Sequence, residues 1–454
     1  MREEIEHRPL VVAALAFAIG LAAVQHLPLL LFWAALLWVV RPGGLKLSLS
    51  IAAFVGLLLA PPQPGQTLIS PLFIRGEAHV LDLPMEQKDG KSTLLEIHSV
   101  RLFAFFTGSA DVRMGDTLHV EDLAEPPTEA MDARAKVDRI LGRIRLEPSQ
   151  YSLVSRGPWP YQVGASWRAS LLRLADKSLT PSDASMIGGM AFGATGLIDN
   201  ERYEALRDTG TMHLVAASGL HVLVLAGILL AILGTLPIPR AVALALAAVV
   251  LVLYACAVGL HAAVIRAVIM AITGSAAYLF RREADALSAL ALGSIAVLLW
   301  RPESLYHPGF HLTIIVVAAL VLFSRRTNEL TFAGTIRGSA ETALIATLAS
   351  APILALEFGY VPVIGLALNL VATVLLAPVI VLAMLAWATS FAWHDGGVLL
   401  MRSAGTLANG LGTLADWGGE QKWAGFAVPA FSPYWLILLY GLPLLMWRKR
   451  LRPA

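Results

Sequence analysis

Long apolar runs alternate with short polar turns over most of this chain. A helix needs about 20 apolar residues to cross the hydrocarbon core of a bilayer, and several runs approach that length. The pattern therefore predicts a polytopic α-helical membrane protein with about 10–11 spans. The predicted spans are 10–26, 28–40, 45–60, 213–234, 241–258, 260–280, 285–300, 309–323, 338–357, 361–388 and 433–447.

Two segments near the C-terminus depart from a simple spanning helix. The 361–388 run is long and contains Pro362 and Pro378, so we expect it to be broken or re-entrant. Residues 397–415 are weakly amphipathic and are predicted to lie on the surface. The topology of 361–432 therefore stays open at this stage.

Residues 61–157 have a different character, with charged positions, turn residues and short runs that alternate between apolar and polar. This period-two pattern predicts strands. They are expected in 68–79, 93–100, 101–107 and 116–120. About five strands in so short a region suit a small OB-like barrel. Helices are predicted at 161–178 and, with a polar character, at 182–209.

These patterns predict a domain organisation in five parts. They are N-terminal transmembrane anchor helices (1–60), an extracytoplasmic β domain (61–157), interfacial helices (158–209), a channel-type transmembrane domain (210–390) and a C-terminal amphipathic segment with a last span (391–454). Basic residues cluster at alternate span ends and place those ends in the cytoplasm. This orientation puts the β domain outside a bacterial inner membrane and the C-terminus inside.

The composition agrees with a membrane protein, since 57% of the residues are hydrophobic and only 15% are charged. Cys256 is the single cysteine, so neither an internal disulfide nor a cysteine metal cluster is expected. The sequence contains no Walker-type phosphate loop and no zinc-hydrolase motif. We therefore predict no enzyme activity, no cofactor and no metal.

The most unusual run is His213-Leu-Val-Ala-Ala-Ser218-Gly219-Leu220-His221, at the start of a predicted span. Imidazole and hydroxyl groups are costly near hydrocarbon and are functional candidates by default. On one helix, these polar residues lie on the same broad side. They form either the outer mouth of a conduit or a set of hydrogen bonds between helices. A weaker alternative makes Ser218 a nucleophile with a histidine base.

A second candidate is Arg266, a permanent charge in an otherwise apolar helix. It either contacts a polyanion that moves past it or pairs with a carboxylate such as Glu357. Further candidates for the path or its outer mouth are Asn369, His261, Phe310 and His311. For the histidines at the outer mouth, a position at the membrane interface is the preferred interpretation.

A basic and aromatic belt follows the acidic β region. Residues 134–177 contain nine basic and three acidic residues, a net charge of +6. Residues 70–150 contain ten basic and fourteen acidic residues, a net charge of −4. Aromatic side chains among cations suit a single nucleic-acid strand, and they equally suit an amphipathic helix on anionic lipid, the preferred interpretation. The belt includes Arg139, Arg143, Arg145, Trp159, Trp167 and Arg168.

Several of these motifs resemble those of the ComEC competence proteins. Thr209–Val222 resembles the family's tG-x-x-H-L-x-A-x-S-G-L-H-v signature, and Arg266–Met270 resembles R-A-x-I-M. Weaker similarities occur in the expected order at Met190–Gly193, Pro308–Thr313 and Asn369-Leu370, where Thr313 replaces a serine and the usual proline after Asn369 is missing. The resemblance covers roughly residues 185–385.

The resemblance implies a channel that passes one DNA strand across the inner membrane. It carries His213, Ser218, Gly219, His221 and Arg266 over as motif residues without giving their individual roles. Expected partners are single-stranded DNA, membrane lipids, a DNA receptor, a cytoplasmic ATPase and a second copy of the chain. Many members also have a metallo-β-lactamase-like domain; none is expected here, so a separate nuclease is predicted. Alternatives are a Ser/His hydrolase or a transporter of another solute.

Overall fold

The structure is a computed structural model that describes residues 67–440, apart from 69, 88, 129–139, 282–284, 325–331, 422, 430, 433, 434 and 436–438. The predicted anchor helices in 1–60 lie outside the described residues. So do Arg139 and most of the predicted last span at 433–447.

The described part of the N-terminal half forms an antiparallel-rich sheet that closes on itself. The strands are β1 (Leu72–Val80), β2 (Met85–Gln87), β3 (Gly90–Ile97), β4 (Val100–Thr107), β5 (Thr117–Glu125), β6 (Ile140–Leu146) and β7 (Tyr151–Ser155). Five of them form a ring in the order β1-β3-β4-β6-β5, and β5 pairs again with β1. The β4–β6 pair is parallel and the other pairs of the ring are antiparallel. This is the order of an OB-fold barrel, so the predicted small β domain is confirmed.

Alternation along the strands fills the barrel interior. In β4 every second residue is buried, and Leu102, Ala104 and Phe106 have no exposed surface. The predicted boundary between two strands at 100–101 is displaced, because His98 and Ser99 both have positive φ and form the tight turn between β3 and β4. Two left-handed residues in succession match the twist of a hairpin, which sequence alternation does not reveal.

Helices dominate the described chain after the barrel. They are α1 (Trp159–Ser178), α2 (Pro181–Phe192), α3 (Asn200–Asp208), α4 (Gly219–Gly234), α5 (Arg240–Val258), α6 (Ala262–Leu279), α7 (Ala286–Trp300), α8 (Pro308–Phe323), α9 (Phe332–Phe358), α10 (Gly365–Ser390) and α11 (His394–Gly419). A short strand pair, β8 (Tyr360–Pro362) and β9 (Gly425–Ala427), lies among the last of them.

Five segments of the described chain are long and apolar enough to cross a membrane. They are Met212–Gly234, Arg240–Val258, Ala262–Leu279, Ala340–Phe358 and Gly365–Ser390. Two further apolar helices, α7 and α8, have 15 and 16 residues and are shorter than a usual span. The chain is therefore a polytopic helical membrane protein with a small OB-like barrel.

The helix predictions need three corrections. The predicted polar helix at 182–209 is two helices, since Gly193 ends α2 in the left-handed conformation and α3 begins at Asn200. The predicted break in 361–388 lies near Pro362, which belongs to β8 before α10 begins at Gly365, and not at Pro378, through which α10 continues. The polar run at 213–221 is not one helix, because α4 begins only at Gly219.

The described residues divide into two compact units. One comprises the chain up to Ile198 together with Val215–His307 and Ala377–Thr406, and it holds the barrel, α1, α2 and α4 to α7. The other comprises Asp199–Leu214, Pro308–Leu376 and the residues from Leu407 onward. Within the second unit, Arg202 pairs with Asp416 at 2.8 Å, and the backbone of Thr209 lies against Gly365 at the start of α10.

In the first unit, the barrel rests on one end of the helices α4 to α7. Short loops make these consecutive helices antiparallel, so α4 and α6 begin at the end where α5 and α7 stop. Asp82 of the barrel accepts a hydrogen bond from Arg301, just after α7, at 2.8 Å. Leu83 packs on Gly259 in the α5–α6 loop, where φ is +105°. The start of α4 therefore lies at the barrel end of the helices.

A single buried carboxylate joins the barrel to α1. Asp116 has no exposed surface and accepts hydrogen bonds at 3.0 Å from the backbone N–H of Arg113 and at 2.8 Å from Arg156 Nη1. It also accepts from the backbone N–H of Gly157 at 3.0 Å and from Gln162 Nε2 at 3.2 Å. Its donors come from the barrel loop, the segment after β7 and the first turns of α1, so one side chain fixes all three.

We predict that Asp116→Ala destabilises this junction by about 3 kcal/mol, because removal of a buried acceptor leaves its donors unsatisfied. Thermal unfolding of the purified, detergent-solubilised protein provides the measurement. Asp122→Ala is the matched control, since Asp122 lies on β5 and has no hydrogen-bond or ion-pair partner within the described chain. Equal melting temperatures for the two variants would contradict the role given to Asp116.

Candidate functional site

The polar residues at the start of α4 form a local hydrogen-bonded cap. Ser218 precedes the helix in an extended conformation, and its backbone N–H donates to His221 Nδ1 at 3.3 Å. The Ser218 hydroxyl lies 2.8 Å from the same nitrogen. Because Nδ1 accepts from the backbone N–H, it carries no proton, and the serine hydroxyl donates to it as well. His221 is 1% exposed, so a neutral imidazole is enclosed at the helix start.

His213 is separate from this cap. It lies in the turn Met212–Leu214, is exposed, and donates through Nδ1 to the carbonyl oxygen of Gly210 at 3.1 Å. The expectation that His213 shares a helix face with Ser218 and His221 is therefore wrong. Residues 215–217 are not helical, so the spacing argument does not apply across them.

Arg266 lies inside the bundle on α6. Only 1% of it is exposed, and it is the largest of the fully buried side chains. Gly293 of α7 packs directly on it, since a Cβ at that position would lie 3.3 Å from the Arg266 Cα. At the neighbouring position, Ala267 meets Gly219 at the first turn of α4. We call Ser218, Gly219, His221 and Arg266 the α4–α6 site.

The C-terminal end of α2 lies beside the α4–α6 site. Gly193 ends α2 with φ of +70°, and a Cβ there would come within 2.9 Å of Ala217. The carbonyl oxygen of Ala191 accepts a hydrogen bond from the Tyr254 hydroxyl at 2.8 Å. The carbonyl oxygen of Phe192 accepts one from Arg168 Nη1 at 3.3 Å. A guanidinium at this end also complements the negative pole of the helix dipole.

The remaining path candidates have separate positions. His261 caps α6 and is exposed, whereas Phe310 in α8 is buried and contacts the His311 ring edge to face. Asn369 lies in α10, where its Oδ1 is buried and has no hydrogen-bond partner within the described chain. An orphaned acceptor in a membrane span calls for water or a ligand.

Comparison with known proteins places these motifs in a family. The competence protein family matches residues 190–453, which is more than half of the chain. The chain belongs to that family. It is 30% identical over 206 residues to ComE operon protein 3 of Bacillus subtilis (strain 168), which covers 45% of this chain. The match spans about a quarter, 26%, of that relative's length. No solved structure matches the chain significantly.

In this competence-family chain, the basic and aromatic belt is not one surface. Arg143 pairs with Glu125 at 2.8 Å, and Arg145 lies 5.5 Å from the Phe105 ring, both on the barrel. Trp159 is exposed at the start of α1. The other two described positions lie inside the protein, where Arg168 is 6% exposed and Trp167 is half-buried against Phe192, Tyr254 and Trp387.

A charged cleft of about 490 Å³ separates the barrel from α1. Its cations are Lys91, Arg113, Arg168 and Arg173, and its carboxylates are Glu86, Asp111 and Asp176. Burial raises the pKa of Asp176, and the nearby Glu86 carboxylate raises it further. Burial lowers the pKa of Arg168, a shift that Glu86 opposes. We call this the barrel–α1 cleft.

Sequence patterns indicate all four residues of the α4–α6 site but neither the barrel–α1 cleft nor the carboxylate of Asp116. Apolar surroundings made Arg266 conspicuous. Asp116 and Lys91 lie in a region with many charges, and only the closure of the barrel shows which of them are enclosed. One signal for Asp116 is its place directly after Gly115, at the start of the strand predicted for 116–120.

We predict that Gly293→Val separates α6 from α7 and lowers stability by about 1–3 kcal/mol, because added methyl groups overpack a close helix contact. The matched control is Gly274→Val in α6, where no atom lies within 4 Å of an added Cβ. Melting temperatures of the two purified variants test the contact. If both variants melt together, the packing of Gly293 on Arg266 is not tight.

Proposed function

We propose that this chain forms a conduit for a single DNA strand across the bacterial inner membrane. Membership of the competence protein family and the match to ComE operon protein 3 support a role in DNA uptake. The observation that carries the conduit itself is the α4–α6 site, where Arg266 is buried and its neighbour Ala267 packs on Gly219 at the start of the capped helix α4. We infer that a strand enters at the barrel end, passes this site and leaves at the opposite end of the helices.

The chemistry of the site suits a moving polyanion. Arg266 is charged at any physiological pH, so it attracts phosphate without needing a proton. His221 is neutral in the hydrogen-bonding pattern of its cap and adds no second charge. Burial in a medium of low polarity makes a single cation attractive at short range.

The position of the barrel fits an outward orientation. The barrel contacts the helix end at which α4 begins, so the barrel and the Ser218 cap share one side. With basic loops in the cytoplasm, we assign this side to the periplasm or outer face. An incoming strand would then meet the barrel before it reaches Arg266.

A second candidate function rests on the Ser218–His221 contact. A serine hydroxyl that donates to an imidazole nitrogen at 2.8 Å has the geometry of an activated nucleophile. This arrangement would suit a membrane hydrolase that acts on a lipid or peptide. The same bond also caps α4, and the conduit proposal needs only that structural role.

We predict that Arg266→Ala reduces transformation of a competent host by at least about tenfold, which corresponds to about 1.4 kcal/mol, with unchanged protein abundance. The measurement is transformation frequency in a strain whose own gene is deleted and then restored as wild type or variant. Arg240→Ala serves as the matched control, because Arg240 is exposed at the start of α5.

Normal uptake by the Arg266→Ala strain would remove Arg266 from the path. A host that transforms equally well without the gene would overturn DNA uptake as the function of this chain.

We predict that Ser218→Ala weakens the α4 cap by about 0.5–2 kcal/mol and leaves DNA uptake within about twofold of wild type. The conduit requires the cap but not the hydroxyl as a reactant. Ser218→Thr keeps the hydroxyl and serves as the comparison. Complete loss of uptake in a stably inserted Ser218→Ala protein, rescued by threonine, would instead support the hydrolase.

A further inference from the structure

Two cations of the barrel–α1 cleft form no hydrogen bond or ion pair within the described chain. They are Lys91 on the barrel and Arg173 on α1. Arg168 is enclosed at the same cleft and is 94% buried, with one hydrogen bond to the carbonyl of Phe192. When unpaired cations line the same cleft, they favour the binding of an anionic ligand.

The carboxylates of the cleft do not cancel these charges. Asp111 is engaged, since Arg156 and Arg113 both bond to it and, although partial burial acts against them, hold its pKa below the ordinary value. Glu86 and Asp176 form no ion pair with the cleft cations in the described chain. With the Arg113–Asp111 pair set aside, three cations face two carboxylates, which leaves one net positive charge.

The remaining lining of the cleft is small and partly apolar. Leu83 and Val112 come from the barrel and Leu172 comes from α1, while Ser109 and Ser166 add hydroxyl groups. A volume of about 490 Å³ lies in the range of small-ligand sites. The cleft thus combines a place for one negative charge with a lining that is partly apolar.

We propose that the barrel–α1 cleft binds one phosphodiester, with its attached nucleoside, of a single DNA strand before the strand reaches the α4–α6 site. This inference rests on the proposed function. A phospholipid headgroup carries the same phosphodiester, but its acyl chains need an apolar exit. Charged side chains stand on both walls, with Glu86 and Lys91 on the barrel and Arg173 and Asp176 on α1. These charges favour the strand.

The test uses the full-length protein in phosphatidylcholine nanodiscs and a short fluorescein-labelled oligothymidylate. We expect the double variant Lys91→Gln with Arg173→Gln to raise the Kd about tenfold, because two charges to phosphate are lost. The slope of log Kd against log salt should also fall by about 0.7, the value for the loss of one phosphate contact on a single strand. Asp176→Asn should tighten binding about threefold, a gain that a misfolded variant does not produce.

The matched control is Lys177→Gln, which removes a cation from the same helix outside the cleft. Unchanged affinity in this control supports a defined site. A loss that equals that of Arg173→Gln would reduce the effect to non-specific charge and overturn the proposal. Unchanged oligothymidylate binding in the double variant, with reduced capture of phosphatidylglycerol vesicles, would assign the cleft to lipid and overturn it as well.

The experiments distinguish an error in the cleft inference from an error in the proposed function. If the cleft inference alone is wrong, the double variant binds oligothymidylate normally while Arg266→Ala still reduces uptake. If DNA uptake is wrong, deletion of the gene leaves transformation unchanged whatever the binding titration shows.

Discussion

The carboxylate of Asp116 is the interaction on which the arrangement of the first unit depends. It collects donors from the barrel loop, from the segment after β7 and from α1. The helix α1 then carries this constraint onward, because Gly164 lies against the backbone of Cys256 and Ala257 near the end of α5. Outside that network, the barrel also contacts Arg301, Glu303 and Gly259 at the helix ends and Gly196 after α2. Polar contacts therefore fix the barrel position at several points.

In the membrane-spanning part, close backbone contacts fix the positions of the helices relative to one another. Lipid provides no hydrophobic drive for helices to associate, so small residues and polar bonds decide which faces meet. Gly293 brings α7 onto Arg266, and Gly219 allows α4 to begin beside Ala267. The two helices α7 and α4 thus approach α6 closely at Arg266 and Ala267, respectively. The position of the charge follows from glycine placement as much as from Arg266 itself.

Sequence patterns predicted the parts of this fold that depend on local periodicity. Alternation of apolar and polar residues predicted the strands of the barrel. Apolar runs predicted the bounds of α5 and α6 to within a few residues. Tertiary contacts decided the rest. Arg168 looks like a surface cation in the sequence but lies buried, because α2 ends against it. His221 looks like a partner of His213, yet it turns back to Ser218 because the helix begins at Gly219.

The burial of Arg266 bears on the speed of any passage. It is the only charged side chain fully enclosed within the described membrane-spanning helices. A row of such cations would hold a polyanion at successive points and would have to release all of them at each step. Conduction requires an attraction strong enough to admit the ion and weak enough to let it leave. In the proposed conduit, each phosphate that leaves a single fixed charge would be replaced by an equivalent one, so the energy of the strand would change little as it advances. The enclosed charge would then attract the strand without holding it at one position.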